Sequence, residues 1–284
     1  MVQHDFTDRN GDDMDDLNDF KWIVDPAGHE WFELIESDFD RSGWFITGLN
    51  VSPELLQYSP LQQFPGIHRT FCATEPNPVS IQKFADKYGL LGGPVSAIVP
   101  IRKSPPSYIQ GRGEFLEDWC EEIALCARFV GLWDGFLSAR SSGIQPRLID
   151  ESTDRFLIDG SGLKIASRSS SPRLFESVRP GNTLLPLLAY VYEEVNRRLG
   201  IYGVVPRLVL DTSTASGHGA NVPDSLIGAI WVDFYQAIGN KKGADAYKEC
   251  EICGRFFEKI LSRRRDAIYC SDACKSRAYR RRLV

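Results

Sequence analysis

Two short stretches near the end of the 284-residue chain decide how it is read: Cys250-Glu251-Ile252-Cys253-Gly254-Arg255-Phe256-Phe257 and Tyr269-Cys270-Ser271-Asp272-Ala273-Cys274. Two residues separate Cys250 from Cys253, three separate Cys270 from Cys274, and sixteen lie between the pairs. Structural zinc takes four tetrahedral ligands, commonly thiolates, supplied as close pairs from two segments. The neighbours suit each pair. Gly254 permits the tight backbone turn of a metal-binding knuckle. Ser271 and Asp272 are helix-start residues, and on a helix Cys270 and Cys274, four apart, share a face. Cys250, Cys253, Cys270 and Cys274 are therefore the expected ligands of one structural Zn2+.

The segment 248–284 has 37 residues, and its candidate core is small: Phe256, Phe257, Ile268, Tyr269 and Ala278. A chain that short rarely buries enough apolar surface to fold alone. Zinc binding contributes on the order of 10 kcal/mol to such a unit, enough to hold it. The other cysteines, Cys72, Cys120 and Cys126, are scattered, and all three read as ordinary buried thiols.

Charge separates the same segment from the rest. Residues 248–284 carry eleven Lys/Arg against five Asp/Glu, a net of +6. The whole chain is −5, which leaves −11 on residues 1–247. Four thiolates around one zinc add −2 relative to neutral cysteines, leaving about +4. One basic cluster, Arg263, Arg264 and Arg265, falls between the ligand pairs. The other, Lys275, Arg277, Arg280, Arg281 and Arg282, follows Cys274 on the expected helix. The planar guanidinium fork binds phosphate bidentately, and a basic helix leaving a zinc site is a common way to reach a DNA groove. These eight side chains are the expected nucleic-acid contacts, with DNA or RNA as partner. A charged helix that is only solvated, or that docks on an acidic surface, is the alternative.

The run from Cys250 to Phe257, then Arg264-Arg265-Asp266, then Tyr269 to Arg282 resembles the CGNR-type zinc finger of bacterial proteins. The resemblance covers roughly 35 residues. It rests on the four cysteines, the Gly after the second of them and the trailing arginines. The family's naming tetrad reads Cys274-Lys275-Ser276-Arg277 here. The resemblance implies a treble-clef-like finger at the C-terminus of a larger domain and a DNA-binding role in transcriptional regulation.

Upstream, residues 1–19 hold seven Asp and one Arg, a composition that predicts a disordered acidic tail. Residues 20–240 read as a mainly helical α+β domain with short strands. Phe20 to Asn50 is aromatic and punctuated by Pro26, Gly28, Gly43 and Gly48, which predicts short strands and turns. Asn77-Pro78 opens a helix with an apolar face of Ile81, Phe84, Ala85 and Tyr88, ended by Gly89. Val95 to Ile101 predicts a strand. Phe115, Trp119, Ile123, Cys126, Val130, Trp133 and Leu137 recur at helical spacing over 114–138, a helix expected to run through the core. A hairpin is expected over 155–166 and a helix over 183–199. Pro206 to Leu210 predicts a strand, Asp211 to Asn221 a flexible loop, and 223–239 a helix whose apolar face holds Ile227, Ile230 and Phe234. The finger is expected over 246–284.

No enzyme signature accompanies these elements. Four His residues show no His-Glu-x-x-His spacing, and neither a Gly-x-Ser-x-Gly elbow nor a phosphate-binding Gly-Lys-Ser/Thr loop is present. Glu117, Asp118, Glu121 and Glu122 read as a solvated helix face, and the tryptophans as core. With no apolar run of about 20 residues and no leader sequence, a cytoplasmic protein without membrane contact is expected. The large domain is expected to sense a small-molecule effector or to mediate a homodimer.

Overall fold

The computed structural model describes residues 20–34, 42–49, 56–103, 107–142, 155–158, 163–167, 184–211, 216–259 and 267–281. The acidic tail 1–19 lies outside them. The described chain is α+β. Strands β1 (Trp22–Val24), β2 (His29–Leu34) and β3 (Gly43–Gly48) come from the aromatic N-terminal stretch. β4 (Leu56–Tyr58) pairs antiparallel with β1. β5 (Ser96–Lys103) and β6 (Ser107–Phe115) complete a four-stranded antiparallel sheet in the order β2-β3-β6-β5.

Helices supply the core. α1 (Pro60–Gln63) and α2 (Ile67–Cys72) are short; α3 (Pro78–Tyr88) is capped as its sequence predicts. The Asn77 side chain accepts the Ser80 N–H at 2.9 Å, Pro78 occupies the first turn, and Ile81, Phe84, Ala85 and Tyr88 are all buried. α4 (Leu116–Ser142) follows β6 without a break and runs through the interior, with Trp119, Ile123, Cys126, Val130 and Trp133 buried. One flank of this helix departs from the solvated face expected of it. Glu122 is half-buried and accepts a hydrogen bond from the Tyr202 hydroxyl, with Arg198 3.6 Å away.

Hairpin β7 (Arg155–Ile158) and β8 (Leu163–Ser167) forms as expected. α5 (Leu184–Ile201) then contributes Val191 and Val195 to the core. β9 (Val205–Asp211) pairs with β10 (Ser216–Val222), so most of the stretch expected to be a loop is a strand. Gly217 and Gly219 lower its intrinsic strand signal, but a complementary neighbour, β9, satisfies its backbone. α6 (Leu226–Gly239) starts where the Ser225 hydroxyl accepts the Gly228 N–H at 3.2 Å. It is buried on nearly every side and forms the centre of the core with α2 and α4. Among the described residues, no helix is long and apolar enough to cross a membrane.

What positions the C-terminal segment is α2. This helix meets α4 and α6, and it also meets a last small hairpin, β11 (Tyr247–Glu249) and β12 (Phe256–Glu258), which precedes the final helix, α7 (Asp272–Arg281).

Candidate metal centre

The first cysteine pair sits in the turn of the β11–β12 hairpin. Strand register places Tyr247 opposite Glu258 and Glu249 opposite Phe256. Beyond Glu249 the turn closes on itself: Cys250 N–H donates to the Arg255 carbonyl at 2.9 Å, and Gly254 N–H donates to the Cys250 carbonyl at 2.8 Å. Gly254 has φ +69°, the left-handed region that glycine enters without a Cβ penalty. The second pair flanks the start of α7: Cys274 lies in its first turn, whereas Cys270 precedes Ser271 and stands outside the helix on which the two were expected to share a face. The Ser271 hydroxyl accepts the Cys274 N–H at 3.3 Å, and the Ser271 carbonyl accepts the Lys275 N–H at 3.1 Å, so Ser271 caps the helix. A backbone bond from Glu251 N–H to the Ile268 carbonyl, 3.4 Å, joins the two halves.

These elements bring Cys250, Cys253, Cys270 and Cys274 together, with all four sulfurs within 4.8 Å of one another. Cys253 and Cys270 are 3.5 Å apart, and Cys270 and Cys274 are 3.6 Å apart. A tetrahedron with metal–sulfur arms of about 2.3 Å has edges of about 3.8 Å, so the spacing suits a single ion. All four are free thiols; a disulfide would need about 2.05 Å. Cys250 and Cys274 are buried, and Cys253 and Cys270 half-buried. Phe257 is buried beside them, with Ile252, Ala267 and Tyr269 packed around. This local core is small, and an ion shared by the four sulfurs could hold it together.

The thiols differ before any ion binds. Burial opposes ionisation of Cys250, but N–H groups of Cys270, Ile252 and Cys253 aimed at its sulfur hold it down to about 6. Burial pushes Cys253 up, and burial with the neighbouring Cys250 and Cys253 sulfurs pushes Cys270 up to about 12. Four thiolates at these separations repel one another; a divalent cation removes that cost.

The hairpin is not a free appendage. Phe256 N–H donates to the Thr70 hydroxyl of α2 at 3.2 Å. The Tyr247 ring meets His68 edge-on at 5.3 Å between centroids, and the Arg69 guanidinium lies 4.9 Å over the same ring. Arg69 is held by a bidentate pair with Asp134 of α4, both bonds 2.7 Å. His68 Nδ1 donates to Asp233 of α6 at 2.5 Å, and that carboxylate also accepts the N–H groups of Gly66 and His68. Lys242 reaches Glu258 at 2.6 Å, and Arg255 stacks 5.2 Å over Phe64. Sequence inspection misses this polar floor. His68 and Asp233 are 165 residues apart, and no local pattern marks either one.

The expected nucleic-acid contacts divide in two. Lys275, Arg277, Arg280 and Arg281 are exposed on α7, whose buried side consists of Cys274 and Ala278. Among the described residues none of these four makes an ion pair. Tyr279, on the same helix, is 66% exposed. Arg263, Arg264, Arg265 and Arg282 lie outside the described residues. No family model matches the chain, and neither do curated proteins or solved structures.

Proposed function

We propose that the chain is a zinc-dependent nucleic-acid-binding protein, a DNA-binding regulator of transcription whose treble-clef-like C-terminal finger offers a basic helix to phosphates. The observation that carries this is the four exposed cations Lys275, Arg277, Arg280 and Arg281 on a helix whose first turn holds Cys274; Arg277, Arg280 and Arg281 share one flank and Lys275 lies on another. Zinc is the metal that a closed set of four thiolates favours, since soft sulfur donors at tetrahedral spacing suit it and leave no open position for chemistry. A knuckle between two short strands followed by a helix at the second cysteine pair accords with the resemblance to CGNR-type fingers. The exposed Tyr279 adds a ring on which a base can stack.

The experiment is metal analysis of the purified chain paired with binding to random-sequence duplex DNA across a salt series. Each neutralised phosphate contributes about −0.9 to the slope of log K against log salt. Engagement of the four exposed cations alone gives a slope of about −3.6. Affinity that is absent, or indifferent to salt, rejects the proposal.

A second reading draws on a specific observation, the docking of β11–β12 on α2 through Tyr247 and Phe256 and its tie through Glu258 to Lys242, just beyond α6. On that reading the finger is a structural extension of the large domain, and α7 meets an acidic protein partner. The same titration separates the two, because only the first requires binding to DNA or RNA.

A further inference from the structure

Apart from the metal centre, one other pair of sulfurs converges among the described residues. Cys72 closes α2 and Cys126 lies midway along α4, 54 residues further on, yet their Sγ atoms are 3.1 Å apart. That is closer than the 3.5 and 3.6 Å seen between sulfurs of the metal cluster. Both are free thiols. A disulfide bond of about 2.05 Å is reached if the sulfurs approach by about 1 Å. Cys72 is the last residue of a six-residue helix, and no regular helix or strand follows it until Pro78.

The two thiols also differ in access. Cys126 is 0% exposed, whereas Cys72 is half-buried and followed by the exposed Ala73. Contact with Cys72, together with burial, holds the Cys126 thiol protonated well above the ordinary range. Attack therefore begins at Cys72 and resolves at Cys126, the order expected of a redox pair with one accessible sulfur. The pair also sits under a working surface. His68, Arg69 and Thr70, on the same short helix, carry the finger hairpin.

We propose that Cys72 and Cys126 are a redox modification site, a dithiol that converts reversibly to a disulfide tying α2 to α4, with low-molecular-weight disulfides of the glutathione class as oxidant. The Cys72 thiolate attacks one sulfur of the small disulfide. That S–S bond breaks, a mixed disulfide forms, and one small thiol leaves with the proton that Cys72 gave up. Cys126 then loses its proton and attacks the Cys72 sulfur. The mixed S–S bond breaks and the second small thiol leaves with that proton. Two protein thiols are oxidised and one small disulfide is reduced to two thiols.

The test uses the full chain as purified, incubated with glutathione disulfide, then alkylated, digested and mapped by mass. The expected product is a reducible cross-link between the peptides holding Cys72 and Cys126, with Cys120 alkylated. In Cys126→Ala the same treatment instead leaves glutathione on Cys72 as the major species, because the resolving sulfur is gone. If that variant does not fold, the map of the unaltered chain decides alone. Recovery of Cys72 and Cys126 as separate alkylated thiols overturns the proposal. So does a stable glutathione adduct on Cys72 in the unaltered chain, or a cross-link of Cys72 to Cys120.

Discussion

Replacing Gly66 by Ala tests whether the finger hairpin is seated on α2. Gly66 is buried with φ +88°, and a Cβ there would lie 2.9 Å from Cδ1 and 3.0 Å from Cε1 of Tyr247. The ring has little room to retreat, since His68 meets its edge and Arg69 covers its face. Two costs add. The left-handed backbone costs a residue with a Cβ about 1–2 kcal/mol, and overpacking against the ring costs about 1–3 kcal/mol. Gly66→Ala is therefore expected to destabilise by about 2–5 kcal/mol. A double-mutant cycle separates the two. Tyr247→Ala alone loses a buried ring, at about 3–5 kcal/mol. In the double variant the clash is gone while the backbone strain remains, so the combined loss falls short of the sum by about 1–3 kcal/mol. Urea unfolding of the four proteins measures each value. A Gly66→Ala cost under about 1 kcal/mol, or additivity within about 0.5 kcal/mol, would refute the seating of Tyr247 on this loop.

Other outcomes follow from the same geometry. Changing Lys275, Arg277, Arg280 and Arg281 together to Gln should make the log K against log salt slope shallower by about 3–4. Metal content and melting temperature should stay as they were, because all four side chains are exposed. Acidification should release the metal, since the ligands bind as thiolates and protons compete for them; a chelator dye that reports no loss on lowering the pH would contradict the four-sulfur site. Glu114 gives a pH signature in the large domain. Burial pushes its carboxyl from 4.5 up to about 7, against the pull of the Gly92 and Leu91 N–H groups it accepts. Between those values the folded state holds a proton that the unfolded state releases. This residue's contribution to stability is thus lost as pH climbs through that window. Glu114→Gln keeps an acceptor for the loop and should flatten the dependence there; an unchanged slope would count against it.

Legibility in the sequence followed the range of the forces involved. α3 was readable because Asn77, Pro78 and Gly89 act on their own neighbours, and α4 because its apolar residues recur every three or four positions. The four cysteines were readable because residues able to share one ion recur at short spacings, and the structure brings them within 4.8 Å. β10 was not, since Gly217 and Gly219 say nothing of the strand β9 that pairs with them. Glu122 read as solvated because its partners, Arg198 and Tyr202, come from another helix and the turn that follows it. The same holds for His68 with Asp233 and for Cys72 with Cys126. In each case the contact exists only after distant helices pack, and no residue nearby in the chain announces it.

X-ray absorption at the zinc edge, together with metal stoichiometry on the purified full-length chain, bears most directly on the site. One zinc per chain with four sulfur neighbours at about 2.3 Å is the expected result. A metal-free chain with Cys250, Cys253, Cys270 and Cys274 in disulfides, or a zinc bound through nitrogen or oxygen, would overturn the assignment and the finger built upon it.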